Sequence, residues 1–565
     1  MKVSTKYLGR SGILRSGGHR ILQMSPNLDR DKVAFDADLV NPLRFREAIS
    51  ALHDVVINDL KYQPRDKTAY EAWRNQQREI ENQIRQDAVQ RKAAEIRSGT
   101  QPKPSLQLKA DHSRAVKRYW KARREFDSHL RKNDPELWRK IMPYDPVITV
   151  ADDVLLFECF SADESSYGCL SVDRDCFGSA SSVSRGTTNV DYSWDLYDNF
   201  QTLRTYRQTR FNINPDGFQV RTSSQEDYFE EKIDIPDGWL RGFMSLQSAM
   251  GIPMRKVTLS VGAMYSIIAF LKRNKPKNSP RAIRFELADG EFPKLTLEPY
   301  EKQIISRGFK YSGPNDEPIR IWGRRRLMTL ARVLPLAEKF DVYLLGTGLP
   351  SFWVAKLGDM RLTLGLSGWT TNDWTKGSAV ETLLPQSQAT DALVAKAAEN
   401  LHSSRELTLN DLTSQLRSGA SLTANALNQL AMRGQVIYDL DAGKYRWRQV
   451  LPMALSDKEF DFEHPEQVAA RVLRINKKIS IKSNTAGPRG GWILTAESEG
   501  HSVEALIDAD AMVKRGKCTC SWHFKFGIRN GPCRHIQALR DEVFQTAIAG
   551  DENDWYEKRL VWCGR

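Results

Sequence analysis

Two short pairs of metal-binding residue types, Cys518-Thr519-Cys520 and Cys533-Arg534-His535, stand twelve residues apart in this chain. Zn²⁺ in structural sites takes a closed tetrahedron of thiolate sulfur and imidazole nitrogen, and a Cys₃His set fills it without leaving a position for a reactive water. The spacing also says how the chain could reach the ion. In extended backbone, residues two apart face the same way, so Cys518 and Cys520 can grip one ion together. Residues 492–497 and 502–507 read as strands about a Glu499-Gly500 turn, and Lys514-Arg515-Gly516 leads from them into the first pair. Gly531-Pro532 closes the intervening loop, and 533–540 reads as the opening of a helix.

Cysteine is often only a small buried hydrophobe. Four ligands in two tight pairs, drawn from seven cysteines and nine histidines, are harder to explain that way. The expectation is one structural Zn²⁺ held by Cys518, Cys520, Cys533 and His535. His523, in the loop, and Cys563 complete no better spacing.

A chain of 565 residues is long enough for three to five domains, and its 41% hydrophobic content supplies their cores. The net charge of +13 permits nucleic-acid or acidic-protein partners. Few, unevenly placed cysteines suit a reducing compartment. The basic first twenty residues lack the apolar run of a secretory signal. The longest apolar stretch, 257–271, is shorter than the roughly 20 residues a membrane helix needs. These features point to a cytoplasmic protein without membrane contact.

The expected architecture is α+β and multidomain. Residues 1–145 read as a basic helical region, with a strand at 32–40 and helices near 44–60, 68–97 and 106–141. Between 61 and 140 there are 21 Lys/Arg against 11 Asp/Glu. Arg114, Lys117, Arg118, Lys121 and Arg124 recur every three or four residues and form a cationic stripe, interleaved with Trp73, Tyr119, Trp120 and Trp138. That stripe suits either phosphate contact or a solvated face.

Residues 146–380 read as an α/β middle domain containing a weak repeat. Strand 256–261, helix 263–272 and strands 281–287 and 294–299 are echoed by strand 318–322, helix 324–334 and strands 340–345 and 352–355, with a further strand at 361–366. Both halves have the order β-α-β-β. Arg324, Arg325 and Arg326 stand at the expected N-terminus of the second helix, where positive charge opposes the helix dipole. They would fit around a bound anion or pair with the protein's own carboxylates.

From 385 to 450 the pattern becomes a compact module. Helices at 389–403, 409–416 and 422–433 precede a hairpin of 436–440 and 444–448. Three helices and a hairpin resemble a winged helix, whose third helix can enter the major groove. Asn425, Asn428, Gln429 and Arg433 would be its readers, although a single arginine on that helix equally fits a protein-docking role.

The order hairpin, CxC, loop, CxH, helix over 475–545 resembles the SWIM zinc finger, with a tail at 546–565. More widely, RGTTNVD at 185–191, DGWLRGF at 237–243, IWGRRRL at 321–327 and LGLSGWT at 364–370 are similar to stretches of large bacterial SWIM-domain proteins. That resemblance implies a zinc-dependent module binding DNA, RNA or protein rather than a catalyst. It also implies association with MoxR-type AAA+ ATPases and VWA-domain proteins. Lys514, Arg515 and Lys517 would carry nucleic-acid contact beside the finger. An enzyme site in the middle domain is the alternative, against which stands the absence of any histidine between His129 and His402.

Overall fold

The computed structural model describes residues 33–57, 146–190, 200–213, 237–369, 388–450, 465–528 and 531–549, apart from single positions within them. It also describes the strands Thr5–Leu8, Gly12–Ser16, His19–Met24 and Phe229–Lys232, with isolated residues elsewhere. The chain divides into two compact units, residues 1–59 with 143–565, and residues 60–142. The expected helices 68–97 and 106–141, with their aromatic residues, lie outside the described residues, as does most of the tail. Of the cationic stripe, Arg114 and Arg118 are described; both are exposed, and Arg114 pairs with Asp111. Among the described residues no helix is long and apolar enough to cross a membrane.

The larger unit is mixed α and β, built from several antiparallel sheets. Its centre is an eight-stranded sheet running from Arg255–Leu259 through Lys339–Leu344, Ser351–Lys356, Met360–Leu366, Ser166–Asp173, Val154–Phe160 and Val147–Val150 to Gly186–Asn189. Every neighbouring pair is antiparallel. The strand Val154–Phe160 is apolar at nearly every position and buried throughout. Such a run belongs where both sheet faces are covered. Phe157 meets Phe45 of the helix Pro42–Val56 at 5.9 Å between ring centroids, whereas Phe160 meets Phe243 of the helix Asp237–Gly251 at 4.8 Å. Gly168 admits the first helix closely, since a Cβ there would stand 2.8 Å from Leu52 Cδ1.

The order β-α-β-β occurs twice, with a twist that sequence order did not convey. Arg255–Leu259 leads into the helix Val261–Arg273 and the strands Ile283–Glu286 and Lys294–Leu297. Ile319–Ile321 leads into Arg324–Arg332 and the strands Lys339–Leu344 and Ser351–Lys356. Each half lends its first strand to the other: Arg255–Leu259 pairs with Lys339–Leu344, and Ile319–Ile321 pairs with Ile283–Glu286 in a separate four-stranded sheet. The segment Arg324–Arg332 is a 3-10 helix, not the α-helix expected. Its buried residues Arg324, Leu327 and Leu330 recur every three positions, continued by Val333, which aligns them at three residues per turn.

The module at 388–450 contains the helices Asp391–Ser404, Leu409–Leu416 and Ala420–Met432 and a sheet of Glu406–Leu407, Lys444–Trp447 and Val436–Asp439. Thr408 and Asp411 cap the second helix reciprocally. The hairpin is pinned against the central sheet. Buried Arg446 bonds both carboxylate oxygens of Asp153 at 2.7 and 2.8 Å, Asp439 at 2.9 Å and Glu406 at 2.5 Å. Asp441 pairs with Lys356 and Arg361 of the central sheet.

Candidate metal centre

The segment 479–549, where the sequence places the expected finger, is a four-stranded antiparallel sheet, Ile479–Ala486, Trp492–Ser498, His501–Ile507 and Val513–Cys518, backed by the helix Arg534–Ala549. Glu499 and Gly500 join the two middle strands with φ of 49° and 77°. Positive φ at both corner residues matches the right-handed twist of the flanking strands. Alternate residues Leu494 and Ala496, and Val503, Ala505 and Ile507, point inward and are buried. The first strand, Ile479–Ala486, and the helix Pro465–Ile475 were not anticipated from sequence.

Three elements deliver the four ligands. Cys518 ends the last strand, and Cys520 caps the short helix Ser521–Phe526, its sulfur accepting from the His523 amide at 3.4 Å. Cys533 immediately precedes the helix Arg534–Ala549, and His535 lies in its first turn. All four side chains are buried, and one ligand atom from each lies within 4.8 Å of every other. Cys518 Sγ and His535 Nδ1 are 3.6 Å apart. A tetrahedral ion with bonds of about 2.3 Å to sulfur and about 2.0–2.1 Å to nitrogen requires that edge to be about 3.5 Å. The residues therefore fit a small tetrahedral metal ion through Nδ1. His523 uses its backbone, not its ring, toward the cluster, and Cys563 lies outside the described residues.

Electrostatics favour the same occupant. The hydrogen bond from Cys518 lowers the Cys533 thiol, and Cys533 in turn raises that of Cys518. A dication held by these sulfurs would displace their protons. The helix bearing His535 is fixed from outside. Glu466 accepts from the Arg534 amide at 2.8 Å and from the Arg534 guanidinium, so a carboxylate sits at that helix's N-terminus.

A buried aspartate docks the finger onto the sheet body. Asp510 accepts from the Arg281 amide at 3.0 Å, from Arg281 Nε at 2.6 Å and from Trp322 Nε1 at 2.7 Å. Phe544 of the finger helix lies 4.5 Å from Trp369 and 4.9 Å from Trp492, and Trp369 lies 5.5 Å from Trp322. Burial alone would raise the Asp510 carboxyl, but the Trp322 and Arg281 donors hold it below its ordinary value. Asp510→Asn is expected to cost roughly 1–3 kcal/mol at neutral pH, since it loses a charge-assisted bond and turns an N–H toward donors. A lowered folded value means stability present above about pH 4 and lost as pH falls through the folded value. The deficit of the variant should shrink on acidification; pH-dependent melting checks this.

The other sequence candidates are placed separately. Arg324 is buried, and its Nη1 donates to the carbonyls of Ala282, at 2.9 Å, and of Glu298; burial lowers it to about 10. Arg326 points to Asp163 at 3.4 Å, and only Arg325 is exposed. The three do not converge on one anion, because backbone carbonyls and a carboxylate distant in sequence claim two of them. Asn425 Oδ1 accepts from the Ala389 amide and from Gln429, each at 3.0 Å. Asn428 accepts from Ser248 of the helix Asp237–Gly251, and Arg433 closes the third helix through its amide. The amides expected to read bases are engaged inside the chain. On the finger, Lys514 pairs with Asp508 at 2.9 Å, while Arg515 and Lys517 are exposed.

No family model and no curated protein matches the chain. Among solved structures it is similar to the Proliferating Cellular Nuclear Antigen of Entamoeba histolytica, at 13% identity and a TM-score of 0.27. It is likewise similar to A. fulgidus PCNA bound to a FEN-1 C-terminal region, at 12% identity and a TM-score of 0.27. The PCNA2-PCNA3 complex of Sulfolobus tokodaii follows at 10% and 0.26. Each alignment covers 40% of this chain and 89% of the other. The metal centre therefore stands on its own geometry.

Proposed function

We propose that this chain is a non-catalytic SWIM-type zinc-finger protein that binds nucleic acid through the outer strand of its finger. The observation that carries the reading is the placing of a buried, four-ligand cluster at the end of Val513–Cys518, a strand that holds Lys514, Arg515 and Lys517 outward. A metal with four protein ligands shapes a surface and offers no reactive position. Cations on a rigid strand can neutralise phosphates without reading sequence.

A second reading, docking to a MoxR-type AAA+ ATPase or a VWA-domain protein, draws on the helix Ser521–Phe526. That helix buries none of its residues and leaves Phe524 92% exposed. Elemental analysis should find one zinc per chain. Binding to duplex DNA should then weaken with salt, and replacing Lys514, Arg515 and Lys517 by glutamine should flatten the slope of log affinity against log salt by about 3. The adaptor reading expects no DNA affinity at about 0.15 M salt and a stable complex with the ATPase instead.

A further inference from the structure

We propose that the finger strand and the segment 272–281 of the sheet body form one continuous contact surface for the phosphate backbone of duplex DNA, joined at Asp510. The proposal rests on the nucleic-acid reading above and assigns most of the contact to residues outside the finger.

The segment 272–281 carries Lys272, Arg273, Lys275, Lys277 and Arg281 and no acidic residue. The strand Val513–Cys518 likewise carries Lys514, Arg515 and Lys517 without an acid. More than two hundred residues separate them in sequence, and Asp510 brings them together. Its carboxylate holds Arg281 at 2.6 Å, while Asp508, two residues earlier in the same turn, holds Lys514 at 2.9 Å. Lys277 is four residues from Arg281, and Lys514 four from Asp510, so each lies within about 14 Å of that contact along the chain. The near ends of the two basic segments therefore fall within about one helical turn of duplex, roughly 34–36 Å.

Arg281 and Lys514 are answered by aspartates. Lys272, Arg273, Lys275, Lys277, Arg515 and Lys517 are exposed, and among the described residues none of them forms an ion pair. Glu504 stands opposite Lys517 across the strands, and Leu506 stands opposite Arg515. Lys272 and Arg273 lie in the last turn of the helix Val261–Arg273, where the dipole favours cations. Lys275 and Lys277 lie beyond that turn, and the dipole gives no reason for them. Glu504, Asp508 and Asp510 offset part of the charge on the finger side, whereas the like charges at 272–277 repel one another, and a polyanion relieves that cost. Neither segment contains an aromatic residue, so neither offers single-stranded bases a stacking platform. Nor does either supply the aromatic anchors of a protein interface. Closely spaced phosphates on a rigid duplex are what remain.

The test uses the full chain loaded with zinc and a labelled random-sequence duplex of about 30 base pairs, titrated over a range of salt concentrations. Substituting glutamine for Lys272, Arg273, Lys275 and Lys277 together should flatten the slope of log affinity against log salt by about 3–4, at about 0.9 per contact. Lys275→Gln with Lys277→Gln alone should flatten it by about 2, and this pair lies outside every helix and strand, which keeps folding out of the comparison. Arg515→Gln with Lys517→Gln should add independently. A slope unchanged by the 272–277 substitutions but flattened by those at 515 and 517 overturns the joint surface and leaves the finger as the binding element. Binding to single strands as tight as to duplex overturns the duplex assignment. No affinity for the wild-type chain at about 50 mM salt overturns both this surface and the nucleic-acid reading.

Discussion

Replacing Cys533 with alanine should release the metal and melt residues 479–549 while the eight-stranded sheet keeps its fold. Cys533 is fully buried between the short helix and the finger helix, and its loss leaves three ligands for an ion that needs four. Binding free energies of about 10–16 kcal/mol have been found for structural zinc in small fingers, more than a four-stranded sheet with a short core can replace. The consequence should reach one layer into the body. Trp322, Trp369 and Ala282 share a core with Leu494, Val503, Ile507, Ile536, Leu539 and Phe544. The core of the central sheet is a separate cluster and draws no residue from the finger. Amide exchange should therefore lose protection across 479–549, tryptophan emission should shift to the red, and the strands of the central sheet should stay protected. Retention of one zinc per chain, or unchanged exchange across the finger, would contradict the assignment of Cys533.

The ligand set was legible because its geometry is local: two pairs, each within three residues, on a strand end and a helix start. The Glu499-Gly500 turn was legible for the same reason. Arg324 was not, since its partners are the carbonyls of Ala282 and Glu298, and nothing near Gly323 in sequence announces them. The module at 388–450 shows the distinction within one element. Its helices and hairpin follow from periodicity and turns, but which face is free depends on Arg446 meeting Asp153 nearly three hundred residues away. The strand Ile479–Ala486 carries no such signal, because it is a polar, exposed edge whose apolar residues are too few to alternate clearly. The helix Pro465–Ile475 opens with Pro465 and Glu466, a recognisable start signal. The segment 272–281 could be read as charge, but only the fold sets it beside the finger.

Arg448→Met should cost about 3–5 kcal/mol, because it leaves a carboxylate buried without its cation. Arg448 follows the hairpin, and its side chain and that of Glu158 are both fully buried, with Arg448 Nη2 at 3.4 Å from Glu158 Oε1. Tyr167 donates to the same oxygen at 2.7 Å, and the guanidinium lies 4.9 Å over the ring of Phe243. With its amide oxygen turned toward Arg448, Gln247 accepts from that side chain and donates to the carbonyls of Val436 and Ala431. One buried cation thus ties the central sheet, the helix Asp237–Gly251 and the 388–450 module together. Burial raises the Glu158 carboxyl, against the opposing pull of Arg448 and Tyr167. Removing Arg448 raises it further. A raised folded value means that the folded state holds a proton the unfolded chain has given up above about pH 4.3, so stability falls as pH rises through that window. The variant's deficit should accordingly be smallest near pH 4 and grow toward neutrality, and Glu158→Leu added to Arg448→Met should recover most of it. Denaturant melts at several pH values decide the matter: a deficit independent of pH, or a double variant no more stable than the single one, would show that packing and not the stranded carboxylate sets the cost.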